Sequence, residues 1–238
     1  MKLSDLTLAF LEQHCNIIMP KLGDTSLRDK LQQSDVDISD IYPPSGEALK
    51  HWEFLNLNPG RIGSLSGTYN EIQLKDNIII PMLTLAGRAI PPFLTDKCSE
   101  YPIWYKDDNV FLEGSADLVY GKPPEKLGQL LDCPFFYVHE YKCENNPADI
   151  LDTLAQLLGG MWVLLRKNKD AGYEYPIFGL MVKGQTWRFA ELHTTEKDGE
   201  YNAIFDTEGF FIRSDMDIIF RALRHYFLLG RDMLEQMT

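Results

Sequence analysis

The sequence predicts an α/β protein, a mixed sheet flanked by helices. Between residues 68 and 192 the pattern runs helix, three strands, helix, two strands, and elements alternating in this way form layers around a sheet. Short aromatic and β-branched runs, bounded by Asp, Asn, Gly and Pro, mark the strands. The chain has 238 residues, 45% hydrophobic and 12% aromatic. That is enough apolar material to bury a core, which excludes general disorder.

In chain order, residues 3–19 repeat apolar positions at helical spacing (Leu3, Leu6, Phe10, Leu11, Ile17, Ile18) and stop at Pro20. Residues 26–33 predict a short helix with Ser26 as its cap. Residues 45–57 predict a third, ended by Asn58-Pro59-Gly60. The Gly/Ser-rich stretch from Arg61 to Gly67 marks a boundary. A helix from Thr68 to Ala86 follows, with Thr68 and Glu71 at capping-box spacing. Strands are expected at 101–105 and 110–120, turning at Asp107-Asp108-Asn109, and at 135–142. Pro147 opens a long helix to about Lys167. Residues 176–183 and 186–192 read as a hairpin over Gly184-Gln185, 201–212 as further strand, and 215–236 as a last helix.

Charge narrows the function. The net charge of −12 gives no general attraction to nucleic acid or to an anionic membrane. DNA contact would be local, or assisted by cations. No apolar run approaches the roughly 18–20 residues that span a bilayer. Asp5, Glu12 and His14 interrupt the N-terminal apolar pattern, and no small-residue cleavage site follows. A cytoplasmic protein without membrane contact is therefore expected. Cys15, Cys98, Cys133 and Cys143 form no zinc knuckle, so reduced thiols are expected. There is no Walker loop and no GxGxxG. Arg221, Arg224 and Arg231 share one arc of the last helix, read as a solvated face.

The chemistry concentrates in Glu140-Tyr141-Lys142, the chain's one acid-x-Lys triplet. On a strand, residues two apart share a face, so Glu140 and Lys142 point one way, His139 and Tyr141 the other. A charged pair ending an apolar strand is costly unless paired or used. Asp117 sits mid-strand after Gly114-Ser115-Ala116. Paired strands would bring it near Glu140. Two close carboxylates repel, raise each other's pKa and favour a divalent cation. Oxygen ligands suit Mg²⁺. A lysine on the same face would orient water or stabilise a charged transition state.

Asp117, then Glu140-x-Lys142 at a strand end, then a long helix resembles the PD-(D/E)xK nuclease superfamily, the restriction-endonuclease-like fold with its αβββαβ core. The likeness covers residues 66–193, and is nearest to the nuclease portion of type I restriction motor subunits. It extends to Glu71 on the leading helix, Gly114-Ser115-Ala116-Asp117, Gln156 on the helix after the triplet, and Gly184-Gln185-Thr186-Trp187-Arg188-Phe189. Ala116 stands where the motif's name has proline, and Gly160 where some relatives have Tyr. The Gly159-Gly160 pair is expected to let the helix pack on the sheet.

The resemblance implies Mg²⁺- or Mn²⁺-dependent phosphodiester hydrolysis of DNA. Asp117 and Glu140 would bind the metal, with the Tyr141 carbonyl as a further ligand, and Lys142 would position the attacking water. Glu71 would hold a water of the metal or a second ion, or else merely cap its helix. Gln156 would contact the lysine or the nucleic-acid backbone. The implied domains are an N-terminal helical extension (1–65), the nuclease-like core (66–193) and a C-terminal strand and helix (194–238). The acidity keeps an alternative open: a non-catalytic regulatory or DNA-mimicking module of the same fold, acting through a protein partner.

Overall fold

A computed structural model describes residues 1–21, 23–39, 41, 67–87, 96–107, 109–124, 128 and 130–236. The helix expected at 45–57, and the boundary apart from Gly67, lie outside these residues.

The described strands are β1 (Ile17–Ile18), β2 (Asp96–Lys106), β3 (Phe111–Lys122), β4 (Asp132–Lys142), β5 (Ile177–Lys183), β6 (Thr186–Thr194), β7 (Tyr201–Phe205) and β8 (Phe210–Phe211). They form one mixed sheet in the order β1-β7-β6-β5-β4-β3-β2, with β8 on β6. Neighbours are antiparallel except β4 with β5 and β1 with β7. Parallel β4 and β5 require a crossover, which the long helix supplies. The protein is thus α/β, a mixed sheet flanked by helices.

Helices cover both faces. On one face lie α1 (Leu8–His14) and α5 (Ile150–Asp170), over Val119, Val138 and Met181. On the other lie α2 (Ser26–Gln32), α4 (Ile80–Gly87) and α6 (Met216–Glu235), over Leu118, Tyr137 and Leu180. Gly160 on α5 allows the expected close approach: a Cβ there would sit 3.4 Å from Ile103 and 3.5 Å from Val138. Gly159 instead faces Leu3 and Leu6 of the N-terminal segment.

The N-terminal residues belong to the core. The helix expected over 3–19 is broken into a 3-10 turn (Leu3–Asp5), α1 and β1. The break has a local cause: Thr7 Oγ1 accepts the Phe10 N–H and starts a new helix. Asn16, at φ 53, ends the helical path, and Ile17 pairs with Tyr201. Leu3, Leu6, Leu11 and Ile17 are buried against α5 and the sheet, so the segment expected as an extension completes one layer.

Three helix starts differ from expectation. Ser26 is not a cap; its N–H donates to Asp24 Oδ1 at 2.8 Å. The long helix begins at Ile150, because Asn146 Oδ1 takes the Ala148 N–H and holds Pro147 in a turn. The helix expected at Thr68 begins with α3 (Glu71–Leu74), and its capping box is Asn70 with Gln73. The box sits two residues later than Thr68 and Glu71 would place it, so the Glu71 carboxylate is not used in capping. A π turn (Lys75–Ile79) joins α3 to α4. Pro81 lies just beyond and has no N–H to continue the α ladder.

Arg224 corrects the expected solvated arginine face. It is 4% exposed and donates to the Ala86 and Asp37 carbonyls, clasping α6 to α4 and to the loop after α2. Glu191 is a second buried tie. It accepts from Lys30 of α2, His193 of β6 and Tyr226 of α6. Burial works against its charge, but the bonds and charges of His193 and Lys30 outweigh this and hold it down at about 2. Its contribution to stability is therefore complete above the ordinary Glu range and disappears as pH falls through about 2. Glu191→Ala leaves the buried Tyr226 hydroxyl without its acceptor. It should cost about 1–3 kcal/mol at neutral pH, measured by urea unfolding.

Candidate functional site

The site lies where β3 and β4 part. Their register ends at Leu118 opposite His139. Beyond that pair the Tyr141 N–H donates to Asp117 Oδ2 at 2.5 Å. The alternation of β2 and β3 also breaks here. Cys98, Tyr101, Ile103 and Tyr105 all pack toward α5, and so do Ala116 and Val119, which two-residue alternation forbids. The break falls at Glu100, with φ 53, in the gap of the ladder between the Ser99–Leu118 and Tyr101–Ala116 pairs, where Asp117 stands on the other strand. By the two-residue period Asp117 shares the face of Val119, which is the face of Val138 and so of Glu140 and Lys142.

Glu140 is 2% exposed, and Lys142 Nζ donates to its Oε1 at 2.5 Å. The same ammonium donates to the Tyr141 carbonyl at 3.1 Å. The expected meeting of Asp117, Glu140 and Lys142 is present, with the Tyr141 backbone between them. Tyr141 and His139 are turned to the opposite face, as the strand period requires, and their side chains bond each other. The hairpin expected over Gly184 buttresses the lysine: the Gly184 N–H donates to the Lys142 carbonyl at 2.9 Å. Gly184 has φ 55, and a Cβ there would collide with Glu144.

The carboxylates are held away from their ordinary ionisation. Burial pushes Glu140 up to about 8; the Asp117 charge adds to this and Lys142 opposes it. Burial likewise raises Asp117 to about 6, against the Tyr141 N–H and the Lys142 charge, with Glu71 and Glu100 adding to the rise. Burial pulls Lys142 down, but the charges of Glu140, Asp117 and Glu71 prevail and its pKa is raised. Glu71 is thus electrically part of the site, at the first turn of α3.

Gln156 is placed apart from the triad. It lines a groove with Ser115 and Trp104. The described hydrogen bonds of Lys142 go to Glu140 and Tyr141, not to Gln156.

Two neighbours were not singled out by the sequence. Lys75 donates to the Asp117 carbonyl at 3.4 Å and to Glu100 Oε1 at 3.3 Å. Lys75 follows Glu71 by four residues, a helix-face spacing that could have signalled it. Glu100 had no sequence signal, since its position comes from the backbone break.

As a metal centre the donor set is all oxygen: two carboxylates and the Tyr141 carbonyl. Such donors suit Mg²⁺, and a cation would compensate the buried charge that desolvation penalises at both acids. Among the described residues no group of three or more His, Cys, Asp and Glu side chains could by itself hold a metal ion. No described helix is long and apolar enough to cross a membrane. Compared with protein-family models and with curated proteins, the sequence matches none.

Proposed function

We propose that the chain is a divalent-metal-dependent nuclease acting on DNA, built on a restriction-endonuclease-like core. One observation carries this reading: Asp117, Glu140 and Lys142 converge at the parting of β3 and β4, around the Tyr141 backbone. The element order supports it. A helix precedes three antiparallel strands, and α5 carries the chain from β4 to parallel β5.

Asp117, Glu140 and the Tyr141 carbonyl would hold Mg²⁺ or Mn²⁺. When bound, the ion supplies positive charge against the phosphate and lowers the pKa of water. The remaining positions suit water and phosphate oxygens, since Mg²⁺ commonly keeps several waters and few carboxylates. Lys142, which holds the strand end beside Glu140, would orient the attacking water and place its ammonium against the charge growing on the phosphate. Burial of Glu140 excludes bulk solvent from one side of the site.

The net charge of −12 favours a second reading, a binding module that keeps the fold without hydrolysis. Titration calorimetry with Mn²⁺ separates the two. The nuclease reading expects binding by the wild type and at least about tenfold weaker binding by Asp117→Ala. Absence of binding, or binding unaffected by the substitution, overturns it.

A further inference from the structure

We propose that the groove beside the acid–lysine site holds an unpaired stretch of DNA, its bases stacked on Trp104 and Phe111. This rests on the nuclease reading and names its substrate class: DNA with single-stranded character.

The groove encloses about 690 Å³ between the N-terminal segment, the β2–β3 pair and α5, and Trp104, Phe111, Ser115 and Gln156 are among its lining residues. Trp104 is 61% exposed and Phe111 45%, whereas Trp162 and Trp187 are 3% and 0%. What sets Trp104 and Phe111 apart from the other exposed rings is that both line one groove, where exposed aromatic faces can stack bases.

Continuity says what lies there. The register sets Pro102 opposite Ser115 and Trp104 opposite Glu113. Ser115 precedes Asp117 by two residues on β3, so the groove and the site lie along the same strand. Trp104 is four residues along β2 from Glu100, which stands across the ladder gap from Asp117, about 13 Å at strand rise. A strand passing the acids would reach the ring within a few nucleotides.

Charge says which form of DNA. A duplex is gripped mainly through its phosphates by a broad basic face, and this chain carries −12. The groove offers little more. Lys2 and Glu113 share its wall, and the Lys167 ammonium stands 5.2 Å over the Trp104 ring. A single strand is also held by cations along its backbone, here Lys2 and Lys167, but its affinity depends less on charge than a duplex's, and every unpaired base adds a π-face that an exposed ring can stack on.

The test measures binding of a labelled single-stranded oligothymidylate, and of a duplex of equal length, to Lys142→Ala protein with Mn²⁺. The single strand should bind more tightly. Adding Trp104→Ala should weaken it by about 5- to 150-fold, and Trp104→Phe should restore most of the affinity. Phe211→Ala, at another exposed ring, should change nothing. Equal affinity for the duplex, or a single-strand affinity that Trp104→Ala leaves within twofold, overturns the proposal. Wild-type cleavage is assayed alongside. Cleavage with an indifferent Trp104 sinks the groove assignment alone. Trp104-dependent binding without metal-dependent cleavage upholds the groove and sinks the nuclease reading.

Discussion

Lys142→Ala is expected to abolish Mg²⁺- or Mn²⁺-dependent DNA cleavage, by about 10²–10³-fold or more, while the protein stays folded. The magnitude is that of removing one preorganised charge from a partly buried site. Lys142 Nζ is bound to both Glu140 and the Tyr141 carbonyl, so the substitution removes the group that holds the strand end in position. Folding should survive because Glu140, pushed up to about 8, is already largely protonated at neutral pH and stays so once its partner has gone. A buried neutral carboxyl costs far less than a buried charge. Plasmid nicking measures the activity and circular dichroism the fold. Lys142→Arg should not rescue, since the broad guanidinium fork does not replace a compact ammonium. Cleavage within threefold of wild type in Lys142→Ala would exclude this lysine from the chemistry.

A second large effect is expected in the pH dependence of stability. An unfolded Glu ionises near pH 4.3, whereas native Glu140 does so at about 8. Between those values the native state holds a proton that the unfolded state has released. Stability from this group is therefore complete below the unfolded value and falls by about 1.4 kcal/mol per pH unit toward pH 8. Asp117, raised to about 6, adds a fall of the same sign at the lower end of that range. Glu191 has the opposite sign, but its window lies lower, near about 2. Glu140→Gln should flatten the decline in melting temperature between pH 5 and 8 in chelator-treated protein. On the proposed reading Mn²⁺ would bind the ionised carboxylates, so it should stabilise the wild type more strongly as pH rises, and should do little for the variant. Scanning calorimetry at several pH values, with chelator and with Mn²⁺, reads both effects. Equal slopes in wild type and variant would mean that Glu140 ionises normally.

The parts of the site that share a strand were legible. Two-residue alternation set Glu140 with Lys142 and turned His139 and Tyr141 away, because side-chain direction along one strand is a local property. The pairing of β3 with β4 was inferable from two adjacent apolar runs. The approach of Asp117 to Glu140 followed from that pairing, whereas the backbone break at Glu100, in a third segment, carried no sequence signal. Caps were misplaced by one to three residues at Ser26, Thr68 and Pro147. Several Ser, Thr, Asn and Asp side chains compete for each helix start, and spacing alone does not rank them. The shift at Thr68 matters to function, since it releases Glu71 from capping.

The N-terminal segment shows the same division. Its apolar spacing correctly marked a buried stretch, yet Thr7 and Asn16 divide it, and Ile17 finds a strand partner in Tyr201, far along the chain. By itself the amino-acid order determined the α/β class, most strand positions and the acid-x-Lys face, all consequences of local periodicity and apolar burial. Only tertiary structure decided that Glu100 stands beside the acids, which of Arg221, Arg224 and Arg231 is buried and which of the described tryptophans stays in solvent. Those outcomes depend on register and packing between distant segments, where desolvation and charge act through space rather than along the chain.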